Sequence, residues 1–106
     1  MSASRTITEG NDRLDTIHPG EILREEFLIG SDIPTEKVAR EAGINQAKLQ
    51  RLLDEEIAVD ADLDLRLGRY FAMSPGFFLR LQNHFDLEEF RREHGDELDK
   101  ITEYAE

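Results

Sequence analysis

Residues 39–44, Ala-Arg-Glu-Ala-Gly-Ile, constrain the fold of this chain more than any other stretch. A small residue four positions before a glycine, followed by an apolar residue, lets one helix end and a second cross it closely. Ala39 adds no bulk at the crossing, Gly43 accepts positive φ in a tight turn, and Ile44 fills the space beneath. The apolar spacing on either side is helical. Val38, Ala39 and Ala42 share one face of a helix over 35–42, and Leu49, Leu52 and Leu53 share one face of another over 46–53, with Asn45 as its N-cap.

Two short helices around such a turn have the chemistry of a helix-turn-helix. The second would present Asn45, Gln46, Ala47, Lys48 and Gln50 to a DNA major groove. There Gln46 would pair with adenine, Ala47 would touch a thymine methyl, and Lys48 would reach guanine or phosphate. Thr35, Asn45, Gln50 and Arg51 would serve phosphates or register. Spacing alone does not separate this from an ordinary αα-hairpin with a glycine cap.

The rest of the chain also reads as helix. His18-Pro19-Gly20 starts a helix whose inner face holds Ile22, Leu23, Phe27 and Ile29, and the stretch from Gly30 to Pro34 breaks it. Asp60 caps a helix with Leu63, Leu67, Tyr70 and Phe71 on one stripe. Ser74-Pro75 restarts the chain as N-cap and N1, ahead of Phe77, Phe78, Leu81 and Phe85. Asp86 caps a further helix that ends near Gly95, and Leu98, Ile101 and Tyr104 continue a helical tail. No strand pattern occurs, so the expected class is all-α. The expected organisation is a flexible N-terminal arm at 1–17, a helix-turn-helix domain at 18–95 and an acidic, helical C-terminal tail at 96–106.

Charge narrows the functions open to it. With 13 Lys and Arg against 24 Asp and Glu, the net charge is −11, so the chain repels polyanions except where charge is locally different. Such a window exists: residues 45–53 carry +2 between the −3 of 18–44 and the −6 of 54–64. The longest apolar run, Tyr70 to Met73, is far short of a membrane span. MSASRTITEGNDR has no apolar core segment, so no secretory signal is expected. Without cysteine there is no disulfide framework or thiol nucleophile. His18, His84 and His94 lack metal-ligand spacing, and REHGDEL lacks a second histidine. A cytoplasmic protein without catalytic residues, metal or cofactor is expected. His18 reads as a cap or packing residue, and Arg66, Arg69 and Arg80 as helix charges holding acidic neighbours or, alternatively, contacting phosphates. The carboxylates from Asp54 to Asp64 read as a solvated loop and helix start, or as a surface for a basic partner.

HPGEILREEFL at 18–28, VAREAGI at 38–44, DLRLGRYFAMSPGFFLRLQ at 64–82 and DLEEF at 86–90 resemble the HigA antitoxins. These belong to the XRE-type helix-turn-helix proteins, near the plasmid-maintenance antidote (VapI-like) group. The resemblance runs from about 18 to 95 in order and without a gap. It implies a five-helix, lambda-repressor-like domain with an extra C-terminal helix, forming a homodimer. It also implies two partners: a HigB-like toxin, an mRNA endonuclease of the RelE type, which the antitoxin neutralises, and an inverted-repeat operator through which it represses their shared operon.

Departures from the family pattern cluster around the two short helices. Pro34-Thr35 stands where Ser-Gln is usual, keeping a hydroxyl but not the amide. Asn45-Gln46 replaces Ser-Arg, and Asp54-Glu55-Glu56 replaces an Asn-Gly-Lys turn. Three carboxylates thus lie near the expected path of the DNA backbone. Two other readings follow: a toxin-binding protein with weakened or lost DNA binding, and a stand-alone transcriptional repressor without a toxin.

Overall fold

A computed structural model describes residues 16–105. These form five helices and no strand. Helix α1 is an α-helical turn, Pro19–Ile22, that runs directly into a π-helical segment, Leu23–Ile29; α2 is Thr35–Ala42, α3 Gln46–Leu53, α4 Ala61–Phe71 and α5 Phe77–Asp99. The all-α class is the one the periodicity predicts. Most of the expected N-terminal arm, residues 1–15, lies outside the described residues.

Helix α1 begins at the His-Pro-Gly signal. His18 is the N-cap, its Nδ1 accepting the Gly20 N–H at 2.9 Å, and Pro19 fills the first turn. Its inner face departs from the expected one. Leu23 and Leu28 are buried and Phe27 packs against them, whereas Ile29 is 62% exposed. The π-helical wind is the reason: bonds of the i→i−5 kind, such as Gly30 N–H to the Glu25 carbonyl, put Leu28 rather than a 3.6-period position beneath Leu23. The helix also runs through Gly30 instead of stopping there.

Leu23 of α1, Val38 of α2, Leu49 and Leu52 of α3, Leu63 and Leu67 of α4 and Phe78 of α5 meet in one core, none more than 1% exposed. Phe27 joins α1 to it, with ring centroids 5.0 Å from Phe71 and 5.4 Å from Phe78. Where α1 meets α3, a Cβ on Gly20 would sit 1.9 Å from the Leu52 carbonyl oxygen, so that crossing is open to glycine alone.

The first four helices all end in a left-handed turn. Asp32, Gly43, Glu55 and Ala72 take φ of 58°, 71°, 65° and 59°, and the following residue bonds back to the carbonyl five positions earlier. Those bonds run from Ile33 to Leu28, Ile44 to Ala39, Glu56 to Arg51 and Met73 to Gly68, the Schellman pattern that satisfies orphan carbonyls.

The start of α5 corrects the sequence reading. Ser74-Pro75 does not cap it; Gly76, at φ 93°, is the N-cap and supplies no side chain. The missing cap comes from α4. Asp64 is 2% exposed, and its carboxylate accepts the N–H groups of Gly76 at 2.7 Å, Phe78 at 2.8 Å and Leu79 at 3.0 Å. It is therefore not one of the solvated carboxylates of the 54–64 run. No separate helix starts at Asp86, which lies inside α5 and accepts from Gln82 Nε2 at 3.0 Å. The expected extra C-terminal helix is a continuation of the fifth, kinked at His94 beside Gly95. Helix ends at Asp99, and residues 101–105 have no regular structure. No helix among the described residues is long and apolar enough to cross a membrane.

Two stability predictions follow from these contacts. Gly20→Ala should cost more than about 2 kcal/mol, read from the urea midpoint, because a backbone carbonyl cannot yield as a side chain can. Burial pushes the His18 imidazole below its ordinary 6.5, offset in part by the carboxylates of Glu55 and Asp86. The folded chain thus takes up this proton less readily than the unfolded one. The contribution is complete above about 6.5 and is lost as pH falls through the folded value. Urea stability should drop between pH 7.5 and 5.5, and His18→Asn, which keeps a capping acceptor, should flatten that drop.

Candidate nucleic-acid interface

Helices α2 and α3 flank Gly43, whose left-handed conformation lets Ile44 turn back under Ala39 at 2.8 Å. Helix α4 braces this turn from outside. Arg66 donates to the Ala42 carbonyl at 3.2 Å and pairs with Asp62 at 2.8 Å, as the reading of a helix charge holding an acidic neighbour predicts. Tyr70 donates to Glu41 at 2.7 Å, and Lys37 binds the same carboxylate at 2.9 Å. The Lys37 hydrogen bond, with that from Tyr70, holds the Glu41 carboxyl below its usual range.

Helix α3 buries Leu49, Leu52 and Leu53 and turns its other side outward. Asn45 caps it, Oδ1 accepting the Lys48 N–H at 3.0 Å. Gln46, Ala47, Gln50 and Arg51 are exposed, and their spacing puts them on one face; Lys48 is half-buried at its flank. Thr35, the first residue of α2, is half-buried and lines a groove of about 470 Å³ together with Pro34, Gln50 and Leu53. All seven residues singled out in the sequence therefore lie on α3, at its cap or at the adjoining start of α2.

The charge of this face is not free. Lys48 Nζ lies 3.2 Å from Asp60 and 3.9 Å from Asp62, and Arg51 Nε lies 3.7 Å from Glu56. Gln50 Nε2 donates to Asp54 at 3.0 Å. Asp60 is itself fixed, as N-cap of α4, by the Leu63 N–H at 2.9 Å. That bond, with the Lys48 contact, keeps its carboxyl below the usual range. The +2 window of the sequence is thus ion-paired to the acidic run that follows it.

The turn after α3 distributes its three carboxylates in different directions. Glu55 turns toward α1, 3.6 Å from Arg24, while Asp54 and Glu56 stay with Gln50 and Arg51. Arg24 also donates to the Leu53 carbonyl, closing the C-terminus of α3. Sequence reasoning missed this arginine, since nothing in local spacing signals a contact across 29 residues. Glu55 holds a left-handed conformation that suits glycine. Glu55→Gly should therefore raise stability by about 0.5–1 kcal/mol despite losing an exposed ion pair, read as a higher urea midpoint.

No family model matches the chain. Virulence-associated protein I of Dichelobacter nodosus is 33% identical over 82 residues, which are 77% of this chain and 76% of that protein. Among solved structures, an addiction module antidote protein of the HigA family from Coxiella burnetii is 30% identical with a TM-score of 0.78, over 84% of this chain and 98% of the other. The Pseudomonas aeruginosa antitoxin HigA, solved with the higBA promoter, is 34% identical with a TM-score of 0.78, over 85% and 99% of the two chains.

Proposed function

The chain belongs to the HigA family of antitoxins, and from that premise we propose that it is a homodimeric repressor that binds an inverted-repeat operator and neutralises a HigB-like toxin. The observation that carries the DNA reading is the outward face of α3, where Gln46 and Ala47 stand exposed on a helix braced from behind by a buried leucine row. The Pseudomonas aeruginosa relative, solved with the higBA promoter, supports it. In this reading Gln46, Ala47 and Lys48 meet base edges, and Thr35, Asn45, Gln50 and Arg51 meet phosphates or fix register. Two such helices enter successive major grooves about 34 Å apart. The working unit is the 18–95 domain in the cytoplasm, and no catalytic group, metal or cofactor takes part.

Toxin capture rests on charge. A toxin that cleaves mRNA must bind a polyanion, so a chain of net charge −11 is electrostatically suited to meet it quickly. A toxin-binding protein without DNA binding is the second reading, favoured by the ion pairs that occupy Lys48 and Arg51.

Fluorescence anisotropy of the purified protein on its own upstream DNA, against scrambled DNA and across a salt series, tests the proposal. Specific binding is expected. Gln46→Ala should weaken it by about 1–3 kcal/mol while leaving scrambled DNA unaffected. Equal affinity for both DNAs from a folded dimer would overturn the repressor role and leave the second reading.

A further inference from the structure

We infer that the carboxylates of Glu56 and Asp62, together with Asp60, act as built-in competitors for DNA phosphate: they hold the two cations of α3 and set how strongly this helix grips any polyanion. The inference rests on the proposed DNA-binding role of α3 and deepens it.

Three observations carry it. First, both cations of α3 are engaged, Lys48 by Asp60 and Asp62 and Arg51 by Glu56, at 3.2, 3.9 and 3.7 Å. Second, Asp60 and Asp62 are held in place by contacts unrelated to these cations, and the backbone that carries Glu56 is fixed. Asp60 is the N-cap of α4, Asp62 is bonded to Arg66 at 2.8 Å, and Glu56 follows the left-handed Glu55 in a Schellman turn. The loop between them is tied to α5, since Gln82 Oε1 accepts the Val59 N–H at 2.8 Å. A phosphate approaching α3 therefore meets Asp60 and Asp62 in fixed positions, with the Glu56 carboxylate beside Arg51. Third, the pairs are exposed, with half or more of the Asp60, Asp62 and Glu56 side-chain surface open to solvent. Exposed pairs are weak, so the cations can be drawn away.

The competition has a definite thermodynamic form. A phosphate that takes Lys48 or Arg51 leaves a carboxylate that must recruit a cation from solution. That uptake opposes the counterion release on which phosphate binding depends. Base readout by Gln46 and Ala47 carries no such cost. The rim thus suppresses the sequence-independent part of binding and leaves recognition to base edges.

The test compares Glu56→Gln/Asp62→Asn with Asp96→Asn/Asp99→Asn, a variant of equal charge change on the far end of α5. Elution from heparin and anisotropy on a scrambled duplex are read across a salt series, with thermal melts confirming that both variants fold. The rim variant is expected to bind about three- to tenfold more tightly than the control at low salt, with a salt slope steeper by about one to two units. Both gains should vanish when Lys48→Met and Arg51→Met are added. Equal shifts in rim and control variants would overturn the inference, reducing the acids to net charge. So would a gain that survives loss of both cations, or a rim variant that does not bind heparin. Loss of the operator reading appears separately, as absent preference for upstream DNA with the heparin difference intact.

Discussion

The buried carboxylate of Asp64 organises the C-terminal half of this fold and, through it, the half that holds α2 and α3. Asp64 leaves α4 and accepts three backbone N–H groups at the start of α5, satisfying donors that Gly76 cannot. Charge-assisted bonds of this kind are among the stronger ones available, and removing the acceptor would leave three donors without it, that of Phe78 fully buried. With α5 fixed at that end, Phe78 enters the core against Phe27 of α1, and Gln82 reaches the Val59 N–H in the loop after α3. That loop carries Glu56 and Asp60. The position of the acidic rim beside α3 therefore depends on a carboxylate of α4, the next helix in the chain.

The helix ends explain which parts of the architecture are legible in the amino-acid sequence. Four helices close with the same left-handed turn, yet glycine marks it only at Gly43. Asp32, Glu55 and Ala72 adopt it under the pull of the i→i−5 bonds and of the packing that follows, so their residue types carry no signal. The apolar stripes of α2, α3 and α4 are legible because an α-helix repeats every 3.6 residues and each of these helices buries one side. The same rule misplaces Ile29 and overlooks Leu28, because a π-helical segment repeats differently and the sequence has no marker for it. Gly20 reads as part of a helix start, whereas its role is set by the Leu52 carbonyl, which belongs to another helix.

The candidate interface divides along the same line. Asn45 as cap and Gln46, Ala47, Gln50 and Arg51 as an outward face follow from local periodicity, and the structure places them there. The partners of Lys48 and the clamp of Arg24 on Leu53 join residues 12 and 29 positions apart. In neither case do both members lie within one helix, where periodicity would relate them. Charge counting finds a basic stretch followed by an acidic one, but not that the two are paired to each other.

That pairing bears on how so acidic a chain meets DNA. A repressor that relied on phosphate contacts would need a net excess of free cations on α3, and here both cations are held in exposed ion pairs. What remains unpaired on the outward face is neutral: the Gln46 amide, which can hydrogen-bond, and the Ala47 methyl, which can only make apolar contact, groups suited to telling one base pair from another but adding little attraction to a phosphate. On the proposed reading, a surface built this way would bind weakly to arbitrary sequence and gain affinity only where base edges match. Dimerisation then becomes a physical requirement of the proposed function, because two weak, sequence-reading helices held at a fixed spacing reach an affinity that neither reaches alone.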